Sequence, residues 1–277
     1  IELRAAELRF TLSEAAEFFG MMSLRLSAED IVALEDRTEG WIAGLQLAAL
    51  SMQGRSDMSE FVQVFAGDHR YIVDYLVDEV LQHQPESIRN FLLQTSILDR
   101  LTGTLCEAVT GQRESQRQLE TLQRSNFFLV PLDDQRHWYR YHHLFADVLR
   151  VHLLAEQPDL VPVLHRRARE WYEQNGALTD AIYHALAAKE FERVADLIEQ
   201  VMPAMRRIRQ ESTVLGWLQA LPDELFQYRP VLSIHYAGVL LQTGKLEGVE
   251  VRLRDAERWL EPTPVMGEMV VVDEEEF

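Results

Sequence analysis

Two adjacent histidines, His142 and His143, are the residues of this 277-residue chain whose type and placing could do chemistry. A neutral imidazole can pass a proton near neutral pH, ligate a metal or, once protonated, hold an anion. His143 and Asp147 lie one helical turn apart and could share a metal. A histidine at a helix start beside a solvated acid is the reading adopted, so no metal site is expected.

The same string, His142-His143-Leu144-Phe145-Ala146-Asp147, fits an HHxxxD pattern that can serve acyl transfer with a histidine base. Val148 stands where that pattern carries glycine, and the sequence offers no mixed sheet to support it. A glycine loop ending in GK[ST], a His-Glu-x-x-His helix, a cysteine pair and a GxSxG elbow are all missing from the sequence. The expectation is a chain without catalysis of its own.

The histidines stand where the periodicity changes. Phe127 to Val130 is a strand-like run stopped by Pro131, Asp133 and Asp134 supply a turn, and His137 to Tyr141 is a second strand. His142 and His143 then open an amphipathic helix through Leu144, Phe145, Val148 and Leu149. Helices precede this wing: one with Tyr71, Ile72, Tyr75 and Leu76 on its face, one after Gln84-Pro85-Glu86, one capped by Thr102 or Thr104, and one ending at Ser125-Asn126. Helices, then a hairpin, then a helix is the order of a winged-helix domain. Its candidate reading helix, Glu114 to Arg124, carries Arg117 and Arg124 against Glu114 and Glu120, a balance that favours a structural role.

Upstream, Thr11 or Ser13 can cap one helix, and Ser27 with Asp30 another. Ile42 to Leu50 is apolar on nearly all sides and small at Ala43, Gly44, Ala48 and Ala49, as a buried helix requires. A polar linker begins at Gly54, and Gly67-Asp68 is a break. Downstream of Leu164 the pattern is helical hairpins. Gly176 and Gly244 are 68 residues apart, two steps of 34, with Leu178, Ala181, Ala185 and Ala188 matching Leu246, Val249, Leu253 and Ala256. Gln210 falls where the intervening glycine would stand. This spacing predicts tetratricopeptide-like repeats.

The expected fold is therefore mainly α: a helical domain over 1–67, a winged helix over 68–155 and helical repeats over 156–277. A net charge of −18 argues against duplex binding by the chain itself. The single cysteine, Cys106, suits a reducing cytosol, and no apolar run is long enough to span a membrane. The start at Ile1 and the acidic finish at Glu274-Glu275-Glu276-Phe277 read as cut ends of a larger, cytoplasmic protein.

Three strings in this order carry a resemblance: Leu3 to Phe10 (LRAAELRF), Glu39 to Leu50 (EGWIAGLQLAAL) and Tyr139 to Phe145 (YRYHHLF). With the helical pairs they resemble the ATP-binding LuxR-type transcriptional regulators of the maltose-regulon activator group, signal-transduction ATPases with numerous domains. The resemblance implies a P-loop domain before this segment and a DNA-reading helix-turn-helix after it. It places Gly40-Trp41-Ile42 where relatives hold Gly-x-Pro against adenine, with Ile42 in place of proline. It places Tyr141-His142-His143 where the wider class carries Met-His-Asp, so that His142 would contact the β-phosphate of ADP. ATP and ADP would be held mainly by the P-loop domain, effectors by the repeats, and the active form would self-associate. A stand-alone helical-repeat scaffold is the alternative.

Overall fold

The computed structural model describes residues 9–24, 26–52, 58–64, 81, 84–124 and 127–259. The helix expected around Tyr71, the Gly67-Asp68 break, the linker after Gly54 up to Asp57, the Ser125-Asn126 stop and the tail from Pro262 lie outside the described residues. The chain divides into two compact units, 1–171 and 172–277. Among the described residues, no helix is long and apolar enough to cross a membrane.

The first unit opens with helices α1 (Leu12–Met21), α2 (Ala28–Thr38), α3 (Ile42–Met52) and α4 (Met58–Val64). Thr11 and Ser27 both close capping boxes, with Glu14 and Asp30 as their partners. Asp30 also accepts a hydrogen bond from Ser59 Oγ at 3.0 Å, and Arg37 donates to the Val62 carbonyl, so α4 is pinned to α2. Leu45, Ala48, Ala49 and Met52 of α3 are fully buried, as its all-round apolar sequence requires.

Helices α5 (Glu86–Thr95), α6 (Gly103–Thr110) and α7 (Ser115–Arg124) then lead into strands β1 (Leu129–Pro131) and β2 (Tyr139–Tyr141) and helix α8 (His143–Glu156). Thr102 precedes α6 but its side chain makes no cap; Gln116 Oε1 accepts the Gly103 N–H instead, at 3.2 Å. A Cβ at Gly103 would meet the Gln116 side chain at 2.6 Å, so glycine is what lets α7 approach.

The antiparallel register sets Leu129 opposite Tyr141 and Pro131 opposite Tyr139. Both strands are shorter than the sequence pattern suggested. Phe128 takes φ +50 and ends the run before Leu129. The Asp133 carboxylate accepts the N–H groups of His137 and Trp138, at 2.9 and 2.8 Å, and holds them in the turn. Pro131 is the last residue of β1, which ends there as expected. Leu101 adds a bridge to Tyr139 that the sequence pattern did not reveal. Helix α8 buries Leu144, Phe145, Val148, Leu149 and Leu153, and α9 (Val161–Gln174) follows.

The second unit contains α10 (Leu178–Ala187), α11 (Phe191–Arg207), α12 (Glu211–Gln219), α13 (Asp223–Phe226), α14 (Pro230–Gln242) and α15 (Val249–Glu257). Helix α10 packs on α11 and α11 on α12, while α14 packs on α11, α12, α13 and α15. That is the neighbour-on-neighbour pattern of a helical-repeat stack. Gly176 and Gly244 take φ +73 and +72, as their spacing implied. Between them Arg209, one residue before Gln210, takes the left-handed conformation at φ +55.

The side-chain match across 68 residues fails: Ala185 is fully buried while Leu253 is 48% exposed. A second left-handed glycine, Gly248, lengthens the loop before α15 and shifts its inward face to Arg252, Asp255 and Ala256. The Arg252 guanidinium lies over the Phe226 ring at 4.5 Å and meets Asp223 at 2.7 Å.

Candidate functional site

The site starts at the turn between α2 and α3. Thr38 is fully buried and returns its hydroxyl to the Leu34 carbonyl at 2.8 Å. Glu39 and Gly40 follow with φ +50 and +68. Both N–H groups point back at the Glu35 carbonyl, which ends α2. The Phe10 N–H donates to the Gly40 carbonyl at 2.9 Å. A Cβ at Gly40 would lie 2.4 Å from the Phe10 carbonyl oxygen, so both the dihedral and the close approach call for glycine.

Trp41 then folds its ring over Gly44, where a Cβ would meet Trp41 Cε3 at 2.8 Å. Ile42 is the first residue of α3. A proline at that position would lose only an N–H that the helix leaves unused.

The second half of the site is the strand-to-helix junction. Phe128, a bulky residue strained at φ +50, offers its carbonyl to the His142 N–H at 2.7 Å. Its ring meets Trp41 edge to face at 5.0 Å and Phe145 at 4.8 Å. His142 is 5% exposed, and its Nε2 is 2.8 Å from the Thr38 carbonyl. A carbonyl only accepts, so Nε2 carries the hydrogen and Nδ1 is the bare nitrogen. That Nδ1 is buried without a partner. Burial drives the His142 pKa down to about 4, against the opposing pull of Thr38 and Glu39.

His143 stacks on His142, with centroids 4.7 Å apart and planes 20° from parallel. Its Nδ1 is 3.2 Å from Glu39 Oε1, and its Nε2 is buried without a partner.

Of the residues expected to form a site, His142, Gly40 and Trp41 come together: the Trp41 and His142 rings are 5.8 Å apart and Gly40 lies in the turn between them. Ile42 belongs to the same turn as the start of α3. Glu39 was missed as a site residue. Its carboxylate receives Arg140 Nη1 at 2.6 Å and His143, with Arg9 at 3.4 Å. Burial raises the Glu39 pKa, but hydrogen bonds from His143 and Arg140 outweigh it and hold the group far below the carboxylate range. The available signal was strand alternation: Tyr139 and Tyr141 point inward, so Arg140 must face the other way.

Ligand atoms of Glu39, His142 and His143 lie within 4.8 Å of one another. Stacked rings aim their lone pairs in nearly parallel planes, so the two nitrogens do not converge on one ion. The Glu39 carboxylate is in addition engaged by two arginines. Asp147 turns away from His143 and pairs with Arg150 at 3.1 Å.

Helices, a two-stranded wing and a closing helix define the class: residues 77–161 match the family model described as the MalT winged helix domain. The likeness extends along nearly the whole chain. HTH-type transcriptional regulator MalT of Klebsiella pneumoniae is 34% identical over 261 residues, 93% of this chain and 29% of that protein. MalT of Serratia proteamaculans is 33% identical over the same extent. The resemblance drawn from the three strings is thereby borne out: over nearly all its length the chain is similar to part of the MalT regulators.

Serine/threonine-protein kinase PknK of Mycobacterium tuberculosis is 36% identical over 264 residues, 92% of this chain and 24% of that protein. The chain thus spans between 24% and 29% of the length of these curated relatives. The PknK match corrects the expectation of a protein without enzymatic activity. Nearly the whole chain aligns with part of a named kinase, and the missing catalytic motifs describe only this segment.

Proposed function

We propose that this chain is the regulatory middle of an ATP-dependent transcriptional activator. In that protein the winged helix reports on a nucleotide held mainly by a P-loop domain, and the helical repeats receive the effector. One observation carries the reading. The two strings that the resemblance assigns to the nucleotide, one before α3 and one before α8, meet in space, with the His142 ring on the Thr38 carbonyl and beside Trp41.

In the resting form ADP bridges the nucleotide domain and the winged helix, with the apolar wall of Trp41 and Ile42 toward the base and His142 toward the phosphates. Effector and ATP favour an open form that self-associates and reads DNA through a helix-turn-helix outside this segment, in the cytoplasm. Each ligand shifts the equilibrium only by its differential affinity for the two forms. In this reading the helical domain ends at 67, the winged helix runs over 68–155 and the repeats begin at 156.

His142→Ala in the full-length protein should shorten ADP retention and raise basal transcription. Unchanged retention with unchanged transcription would refute the assignment.

The kinase relative supports a second reading, in which the same control segment governs phosphotransfer. Incubating the full-length protein with labelled ATP separates the two. Autophosphorylation on serine or threonine would favour this second reading, and its absence alongside promoter activation would favour the first.

A further inference from the structure

We propose that Glu39 is a built-in occupant of an anion site formed by Arg140, His143 and Arg9, and that a phosphate-class ligand must displace it to bind there. The proposal rests on the nucleotide-facing reading of the His142 junction and adds its regulation.

Two donors converge on one carboxylate oxygen, Arg140 Nη1 at 2.6 Å and His143 Nδ1 at 3.2 Å from Oε1, and the Arg9 guanidinium pairs by charge with Oε2 at 3.4 Å. They come from two separated stretches of chain, Arg9 from one and Arg140 with His143 from the strand-to-helix junction. Two guanidinium groups and an imidazole around one oxyanion is the donor set that phosphate takes, because arginine forks pair bidentately with either group. Besides Glu39, Arg140 donates only to its neighbour's carbonyl, that of Tyr141, at 3.2 Å, so without Glu39 its positive charge would lack an anionic partner among the described residues.

Glu39 reaches this place from a left-handed residue at φ +50, a conformation that L side chains seldom adopt. The turn therefore presents the carboxylate under strain. Beside it, His142 Nδ1 and His143 Nε2 are buried and unpartnered, with His142 95% removed from solvent. These two nitrogens carry lone pairs and offer a phosphate no hydrogen, but Glu39 Oε2 is likewise buried without a hydrogen-bond partner, so the carboxylate fills this place incompletely. A carboxylate carries one charge over two oxygens, whereas a pyrophosphate offers more charge and more acceptors to the same donors.

The test uses this chain and inorganic pyrophosphate as the probe, titrated calorimetrically at constant ionic strength. Glu39→Gln should bind pyrophosphate at least about tenfold tighter than the unaltered chain, one decade being about 1.4 kcal/mol. Asp36→Asn removes one negative charge from the exposed face of α2 and should stay within about twofold of the unaltered chain. Adding Arg140→Gln to Glu39→Gln should abolish the gain. Equal affinities for Glu39→Gln and Asp36→Asn, with helical content intact, would overturn the proposal.

If Glu39→Gln does not fold, the imidazole nitrogen resonances of His143 in the unaltered chain decide. They should move with pyrophosphate and not with chloride of equal ionic strength, and immobility overturns the proposal. A gain in pyrophosphate binding together with unchanged ADP retention in His142→Ala would keep the anion site and remove the nucleotide switch.

Discussion

At the scale of single residues, His142 is held neutral by burial and spends its one hydrogen on a backbone carbonyl. Its folded pKa, about 4, is below the ordinary value of 6.5. Between those two values the unfolded chain binds the proton and the folded chain does not. Stability therefore falls as pH drops from about 6.5 toward 4, by roughly 2 kcal/mol per such histidine at pH 5. His165 is depressed to about 4 by burial and acts in the same direction. Glu39, held low, loses its contribution only below the carboxylate range, so the window above pH 4.5 belongs to histidine.

His142→Gln keeps a donor for the Thr38 carbonyl and should remove roughly 2 kcal/mol of the stability lost between pH 7 and pH 5 in urea titrations. An unchanged loss would show that His142 is not the titrating group. His142 and its neighbour were legible in the sequence because adjacent histidines at a change of period are conspicuous. Glu39 was not, because a glutamate ending an amphipathic helix reads as solvated. Its role depends on a left-handed turn and on an arginine 101 residues away.

At the scale of elements, local chemistry was readable and long-range geometry was not. The caps at Thr11 and Ser27 and the start of α5 after Pro85 depend on residues within one turn of chain. The strand lengths depend on Phe128 turning to positive φ against Trp41 and Phe145, which no local pattern announces.

Two glycine substitutions separate these regimes. Gly40→Ala meets both a left-handed φ and the Phe10 carbonyl, and should cost about 2 kcal/mol or more, seen as a lower denaturation midpoint. Gly216→Ala, inside α12 with nothing within 4 Å of its Cβ, should stabilise by about 0.5–1 kcal/mol. The opposite order would contradict the described turn.

At the scale of the whole molecule, two compact units joined within α9 carry a net charge of −18. Affinity for a duplex comes chiefly from neutralising its phosphates with clustered basic residues. This chain should accordingly leave a DNA duplex unretarded in a gel at physiological salt, and a discrete retarded complex would contradict the placing of DNA recognition elsewhere. Nucleotide should bind the isolated chain weakly, since no glycine loop cradles phosphate in its sequence.

The central claim is that the junction before α8 holds a nucleotide-sensing histidine. The dissociation of ADP from the full-length protein, compared between the unaltered form and His142→Ala, tests it most directly. The account predicts release faster by about tenfold or more, about 1.4 kcal/mol in the barrier to dissociation. An unchanged rate in a folded variant would contradict it.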